Sequence, residues 1–259
     1  TRVEAENMKA RLLPQCTVKK VTKEKNSTYA PKLFNLGKLQ SEAGKIGFSA
    51  AKTLEIAQSL YEKHYISYPR TDCEVMASTD NFRGIIASAG NVPEFAKAAQ
   101  YAAGKISSFA SIKKFVNDEE LAKHGHSALV PTTDKPNFST LNNEEITIYK
   151  MIAKRFLTAF YPPLIQENTT ILLDDNGEML KATGKVVLDA GYTAFSGEDM
   201  QNNAIPAVNE GDILTITKSQ IAEKTSTCPK RITEGNIIDL MDNPSRFLED
   251  KSIKDDVKD

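Results

Sequence analysis

The chain has 259 residues, 40% of them hydrophobic and 26% charged, and carries a formal net charge of −1 at pH 7. This composition supports a folded protein with one large core or two to three smaller ones. No apolar run approaches the roughly 18 residues of a membrane span, and the near-neutral charge excludes a global attraction to nucleic acid, so any polyanion must be held by a local patch.

Residues 1–12 read as a helix, CTVKKVTK (16–23) as a strand with alternating faces, and KNSTYAP as a polar turn. From there to about residue 163 the pattern is helical. In SAAKTLEIAQSLYEKH, Ser49 is the expected N-cap, and Ala50, Leu54, Ala57 and Tyr61 recur at helical spacing as one apolar stripe. PEFAKAAQYAAG opens with Pro93 at a first-turn position and ends near Gly104. In NNEEITIYKMIAKRFLTAFYPP, Ile148, Ile152, Phe156, Ala159 and Phe160 share a face, and Pro162-Pro163 stops the helix. The composition then changes: ENTTILLDDNGEMLKATGKVVLDAGYTAF is rich in Thr, Val, Ile and Leu around an Asp-Asn-Gly turn, and predicts hairpin-linked antiparallel strands that continue to ILTITKSQIA. From about Ile232 a helical pattern returns, with Thr233 as its cap.

The start, TRVEAENMKARLL, lacks the charged-then-apolar order of a signal peptide. Cys16, Cys73 and Cys228 stand far apart with no CxxC pair, so neither a zinc ribbon nor a disulfide framework is expected, and a reducing, cytoplasmic setting is the default. The missing initiator methionine and the polar end SIKDDVKD lead to the expectation of a piece of something longer.

The chemistry concentrates in KHYISYPRTDCEVM, residues 63–76. Tyr68 precedes a proline, which pushes its backbone out of the α region and onto a strand end or loop. A tyrosine can act as a covalent nucleophile, although a phenol with a pKa near 10 is ionised about once in a thousand at neutral pH, a deficit of roughly 4 kcal/mol. Arg70 is spaced to stabilise a phenolate and the phosphate it attacks; the simpler alternative is that Tyr68 caps a turn and Arg70 pairs with Asp72. A second cluster, HGHSALVPT (124–132), offers His126 to a phosphate oxygen. In an extended segment His124 and His126 would share a side, as a metal site requires, with His64 the only other histidine. Gln58 and Glu62, four apart on the helix leading to Tyr68, either support the helix or orient the tyrosine loop.

PKLFNLGKLQSEAGKIGFSAAKTLEIAQSLYEKHYISYPRTD (31–72) resembles the segment leading to the active-site tyrosine of type IA DNA topoisomerases, nearest the bacterial topoisomerase III branch. HSALVPT resembles that family's H-x-A-I-x-P-T motif, and EEITIYKMIAKRFLTAFYPP and CPKRITEGNIIDLM follow in the family's order. Ser67 stands where threonine is common, Cys73 where serine is, and Cys228 where proline is.

The resemblance implies an enzyme that breaks one strand of single-stranded DNA through a 5′-phosphotyrosyl intermediate, passes another strand and reseals. It makes Tyr68 the nucleophile, Arg70 the phosphate-stabilising arginine and His126 a DNA-binding residue, with Gln58, Glu62, Ser67, Thr71 and Asp72 as further polar positions around the DNA. Magnesium and a catalytic glutamate and lysine belong to the family's Toprim domain; this sequence has no D-x-D triplet, so that domain becomes an expected partner, and no cofactor is expected in this chain. The implied fold is α+β: a helical tyrosine domain (31–163) inserted into a β-rich arch (1–30 and 164–228), with 229–259 beginning a further helical domain. A soluble, nucleoid-associated protein is implied. Two other readings remain: a metal-dependent relaxase-like nicking protein built on the histidine pair, and a non-catalytic module using its rings to stack single-stranded DNA.

Overall fold

The structure is a computed structural model and describes residues 1–106, 112–197, 200, 202–228, 231–242 and 244. In chain order it runs through α1 (Arg2–Arg11) and β1 (Gln15–Thr28), then α2 (Leu36–Gly44), α3 (Ala50–Glu62), α4 (Phe82–Ala89), α5 (Ala96–Lys105), α6 (Asp118–His124) and α7 (Asn143–Thr158). Three strands follow, β2 (Leu164–Asp175), β3 (Glu178–Asp189) and β4 (Ile213–Thr215), and then α8 (Glu234–Asp242). By contacts the chain separates into two units: residues 1–29 with 162–229, and residues 30–161 with 230–259.

The first unit is a four-stranded sheet in the order β3-β2-β1-β4. Strands from both flanks of the helical region thus share one sheet, and the helical unit is an insertion between β1 and β2. The β2–β3 hairpin turns on Asn176 (φ 51°) and Gly177 (φ 89°), two consecutive left-handed residues as a tight two-residue hairpin requires; the Gly177 N–H donates to Asp174 Oδ1 at 2.8 Å. β1 runs on through the KNST stretch expected to be a turn, because Ser27 and Thr28 pair with Ile165 and Leu164. A partner strand more than a hundred residues away overrides local turn composition. The reverse holds at the other end, where only Ile213–Thr215 of the expected ILTITKSQIA strand pairs, against Gln15–Thr17. Past Gly191 (φ 51°) the chain folds back so tightly that a Cβ there would lie 2.3 Å from the Pro163 carbonyl oxygen.

The second unit holds most of the apolar core. Leu33, Leu39, Leu60, Ile66, Met76, Leu129, Ile148, Tyr149, Ile152, Phe156 and Leu157 are all essentially inaccessible. α7 supplies the long stripe read from the sequence: Ile148, Ile152, Phe156, Ala159 and Phe160 are all buried. Its start is closed by a capping box between Asn142 and Glu145. α3 begins at Ser49 as expected, with the hydroxyl accepting from Lys52 N at 3.1 Å, but its buried face is Thr53, Ile56, Ala57 and Leu60. The stripe is rotated from the expected one because Thr53 enters the core with its hydroxyl satisfied by Ser49 O at 2.8 Å, while Tyr61 turns outward. α8, expected to begin a further helical domain from 229, docks on α2: a Cβ on Gly235 would meet Ser41 O at 3.1 Å, and Glu234 Oε2 accepts from Ala50 N at 3.0 Å. Pro229, Lys230 and residues 245–259 lie outside the described residues.

Candidate active site

α3 ends in a left-handed residue, His64 (φ 63°). The Tyr65 N–H reaches back to Leu60 O at 2.9 Å and the His64 N–H to Tyr61 O at 2.8 Å, closing the helix end in the manner of a Schellman motif. His64 is therefore occupied as a helix terminator, its carbonyl accepting from the Thr132 hydroxyl. From this stop the chain runs extended, and Ile66 bridges antiparallel to Pro131. The Ser67 N–H donates to Val130 O at 2.9 Å and the Thr132 N–H to Tyr65 O at 3.0 Å. The HSALVPT segment is held from its other side as well, where Leu129 N donates to Phe34 O at 2.7 Å and Ala128 N to Val75 O at 2.9 Å.

Between these anchored stretches Tyr68, Pro69 and Arg70 form a loop, as the proline rule requires. The Tyr68 ring is half-buried and lies 4.5 Å from the His126 ring, centroid to centroid, at 41°. On another side the Tyr61 ring meets it edge-on at 5.5 Å and 77°. Three rings, two phenols and an imidazole, thus cluster at the nucleophile candidate. Arg70 is exposed and makes no ion pair with Asp72 or any other described residue. A guanidinium exposed at the surface two residues on from Tyr68 is available to an incoming anion.

The remaining sequence candidates divide. Gln58 Nε2 donates to Glu62 Oε1 at 3.0 Å, and no described hydrogen bond or ring contact joins either to Tyr68. Ser67 and Thr71, expected around the DNA, point their hydroxyls into the protein: Ser67 Oγ donates to Ala128 O at 2.7 Å and accepts from Val130 N at 3.0 Å, and Thr71 Oγ1 donates to His126 O at 3.4 Å. Asp72 is exposed and lines an open cleft of about 450 Å³ with Lys32, Glu74, Lys113 and His124. Glu74 in that cleft is paired with Lys32 at 3.0 Å and with Lys38. Burial pushes the neighbouring Cys73 thiol up from its ordinary pKa.

The histidine pair does not share a side. His124 is the last residue of α6 and Gly125 caps it in the left-handed conformation (φ 75°), so the segment is not extended there. His124 Nε2 lies 3.3 Å from Glu120 Oε1 while His126 contacts Tyr68. Among the described residues no group of three or more His, Cys, Asp or Glu side chains stands ready for a metal. No described helix is long and apolar enough to cross a membrane.

Tyr61 was absent from the residues singled out by sequence. Its spacing placed it on the apolar stripe, and the only signal of another role was its position at the stripe's end, seven residues before Tyr68.

The model of the DNA topoisomerase family matches residues 1–245. The chain belongs to the DNA topoisomerase family. It is 32% identical over 271 aligned positions to DNA topoisomerase 3 of Bacillus subtilis, covering 96% of this chain and 36% of that protein. With the DNA topoisomerase 3 of Bacillus cereus it shares 30% over 262 positions, 93% of this chain and 35% of the relative. The fold is similar to that of full-length topoisomerase I from Thermotoga maritima, with a TM-score of 0.65 and 25% identity over 92% of this chain and 39% of that one. The chain therefore spans about a third of the length of the curated relatives it matches.

Proposed function

We propose that this chain supplies the nucleophile of a type IA DNA topoisomerase, acting on single-stranded DNA as part of an enzyme of the DNA topoisomerase 3 kind. In this reading residues 1–30 and 164–228 form the arch, 31–163 the tyrosine domain, and 229–259 the start of a further helical domain. The observation that carries the reading is the presentation of Tyr68: a phenol on a loop rather than in the core, touching His126, with an exposed arginine two residues on.

The Tyr68 oxygen attacks a backbone phosphorus, the bond from phosphorus to the 3′ oxygen breaks, and the 5′ phosphate stays on the tyrosine. The phenol's proton passes to a base and the departing 3′ oxygen takes one from an acid. Resealing runs the same step backwards. Arg70 supplies charge-assisted hydrogen bonds to the phosphate oxygens as negative charge builds, and His126 donates to the same phosphate. Of the carboxylates nearest in sequence, Glu62 accepts from Gln58 and Glu74 pairs with two lysines, while Asp72 lines the open cleft with Lys32 and Lys113. The acid and base, like magnesium, are assigned to a Toprim domain as partner, and no step is routed through a metal.

The test combines the chain with a separately made Toprim-containing segment and a labelled single-stranded oligonucleotide. Arg70→Ala should lower the covalent adduct about 100-fold or more, while non-covalent affinity, shared among many phosphate contacts, falls only severalfold. Equal losses in cleavage and affinity contradict the assignment of Arg70. Strong affinity with no adduct under any condition favours the stacking module, for which the three clustered rings would serve.

A further inference from the structure

Tyr68, Pro69 and Arg70 take part in no described hydrogen bond; apart from the burial of Pro69 and the ring contacts of Tyr68, the loop is held by hydrogen bonds at its two ends. Each end is fixed by a hydroxyl. At the first, Ser67 Oγ sits between two rungs of the opposing segment, donating to Ala128 O at 2.7 Å and accepting from Val130 N at 3.0 Å. At the second, Thr71, 4% exposed, donates to His126 O at 3.4 Å and accepts from Cys73 N at 3.1 Å, while its own carbonyl takes the Leu36 N–H at 3.0 Å. Both hydroxyls therefore grip one stretch, 126–130, which is the stretch that carries the His126 ring.

The geometry points to Ser67 and Thr71 as positioning residues. They staple the two ends of the tyrosine loop to the His126 segment, so that the Tyr68 and His126 rings are held as one unit while Arg70 stays exposed. Neither hydroxyl has a proton left to donate to a DNA phosphate, since each already donates within the protein. The expected consequence for strand cleavage rests on the reading of Tyr68 as nucleophile, because a loop displaced by about 1 Å loses attack geometry even when its residues are unchanged.

The test has two independent readouts. In the chain itself, the His126 ring-proton resonances report the ring current of Tyr68, with Tyr68→Leu giving their position when the contact is lost. Ser67→Ala and Thr71→Val, the latter keeping side-chain volume, should move these resonances most of the way to the Tyr68→Leu position. Ser67→Thr and Thr71→Ser, which keep the hydroxyl, should leave them near the original values. Amide spectra identify any variant that fails to fold, and the hydroxyl-retaining pair then carries the comparison. In the combined cleavage reaction, Thr71→Val should lower adduct formation at least tenfold with affinity for single-stranded DNA within about twofold. Unmoved His126 resonances in folded Ser67→Ala and Thr71→Val, or affinity falling in step with cleavage, overturns the proposal. If the unsubstituted chain forms no adduct at Tyr68, the nucleophile reading fails while the resonances still decide the staple.

Discussion

The helical unit and the sheet unit are held together by different forces. The inaccessible large side chains belong almost entirely to the helical unit, from Leu33 to Leu157, with Val18 the sheet's contribution. The sheet is built instead on long backbone ladders, β1 paired with β2 from Thr17 to Thr28 and β2 with β3 from Ile165 to Asp189, with β3 alternating mainly between half-buried and exposed positions. A ladder spreads its stability over many similar hydrogen bonds, whereas a close-packed core concentrates it in a few large side chains. Tyr68, the proposed nucleophile, sits in the unit with the close-packed core, which suits a group that must be held in one geometry.

Truncation in the two cores should show this contrast most strongly. Phe156→Ala should cost about 3–5 kcal/mol, read as a fall in thermal midpoint, and Ile171→Ala in the sheet about 2 kcal/mol, since the buried apolar set of the sheet unit is small, Ile171 with Cys16, Val18, Leu164 and Tyr192. Equal losses would remove the distinction.

Glu145 sharpens it from the polar side. It is buried at the start of α7 and accepts from Ser59 Oγ at 2.6 Å and Lys63 Nζ at 2.5 Å, tying α7 to the end of α3. Burial opposes its ionisation, yet the hydrogen bonds from Lys63, Ser59 and the Asn142 N–H prevail and hold its carboxyl below the usual value. A lowered folded-state pKa contributes stability that is complete above the unfolded value of 4.5 and is lost as pH falls through the folded one. Glu145→Ala should cost about 2–3 kcal/mol at neutral pH by stranding Lys63 and Ser59. The Glu145→Gln variant should lose less stability than the original chain between pH 5 and 3, as urea titrations at each pH would show.

In the sheet unit the sensitive point is a backbone one. Gly191→Ala should cost roughly 2 kcal/mol, from a left-handed residue gaining a Cβ that runs into Pro163. Ser49→Ala, which removes the α3 cap, should cost about 1 kcal/mol; chemical denaturation resolves both.

The sequence was most legible where the determinants are local. The α7 stripe, the Ser49 cap and the Asp-Asn-Gly hairpin depend on neighbours a few residues away, and all stand as read. The length of β1 and the shortness of β4 were not legible, because a strand's extent is set by a partner far along the chain. α3 was misaligned because a threonine that satisfies its own hydroxyl on the preceding turn can be buried like an apolar residue. At the site, Tyr68, Arg70 and His126 were singled out, and Tyr68 and His126 are in contact. The inward turn of Ser67 and Thr71 and the separation of His124 from His126 were not legible. A hydroxyl's partner depends on which segment crosses beside it, and the left-handed Gly125 breaks the extended geometry the H-x-H spacing assumed.

The central claim is that Tyr68 forms the covalent bond to DNA. It is tested most directly by digesting the adduct from the combined reaction and locating the nucleotide by mass spectrometry. The account predicts a nucleotide attached through its 5′ phosphate to the peptide containing Tyr68, and no adduct from Tyr68→Phe. A nucleotide on any other residue, or an undiminished adduct in Tyr68→Phe, would contradict it.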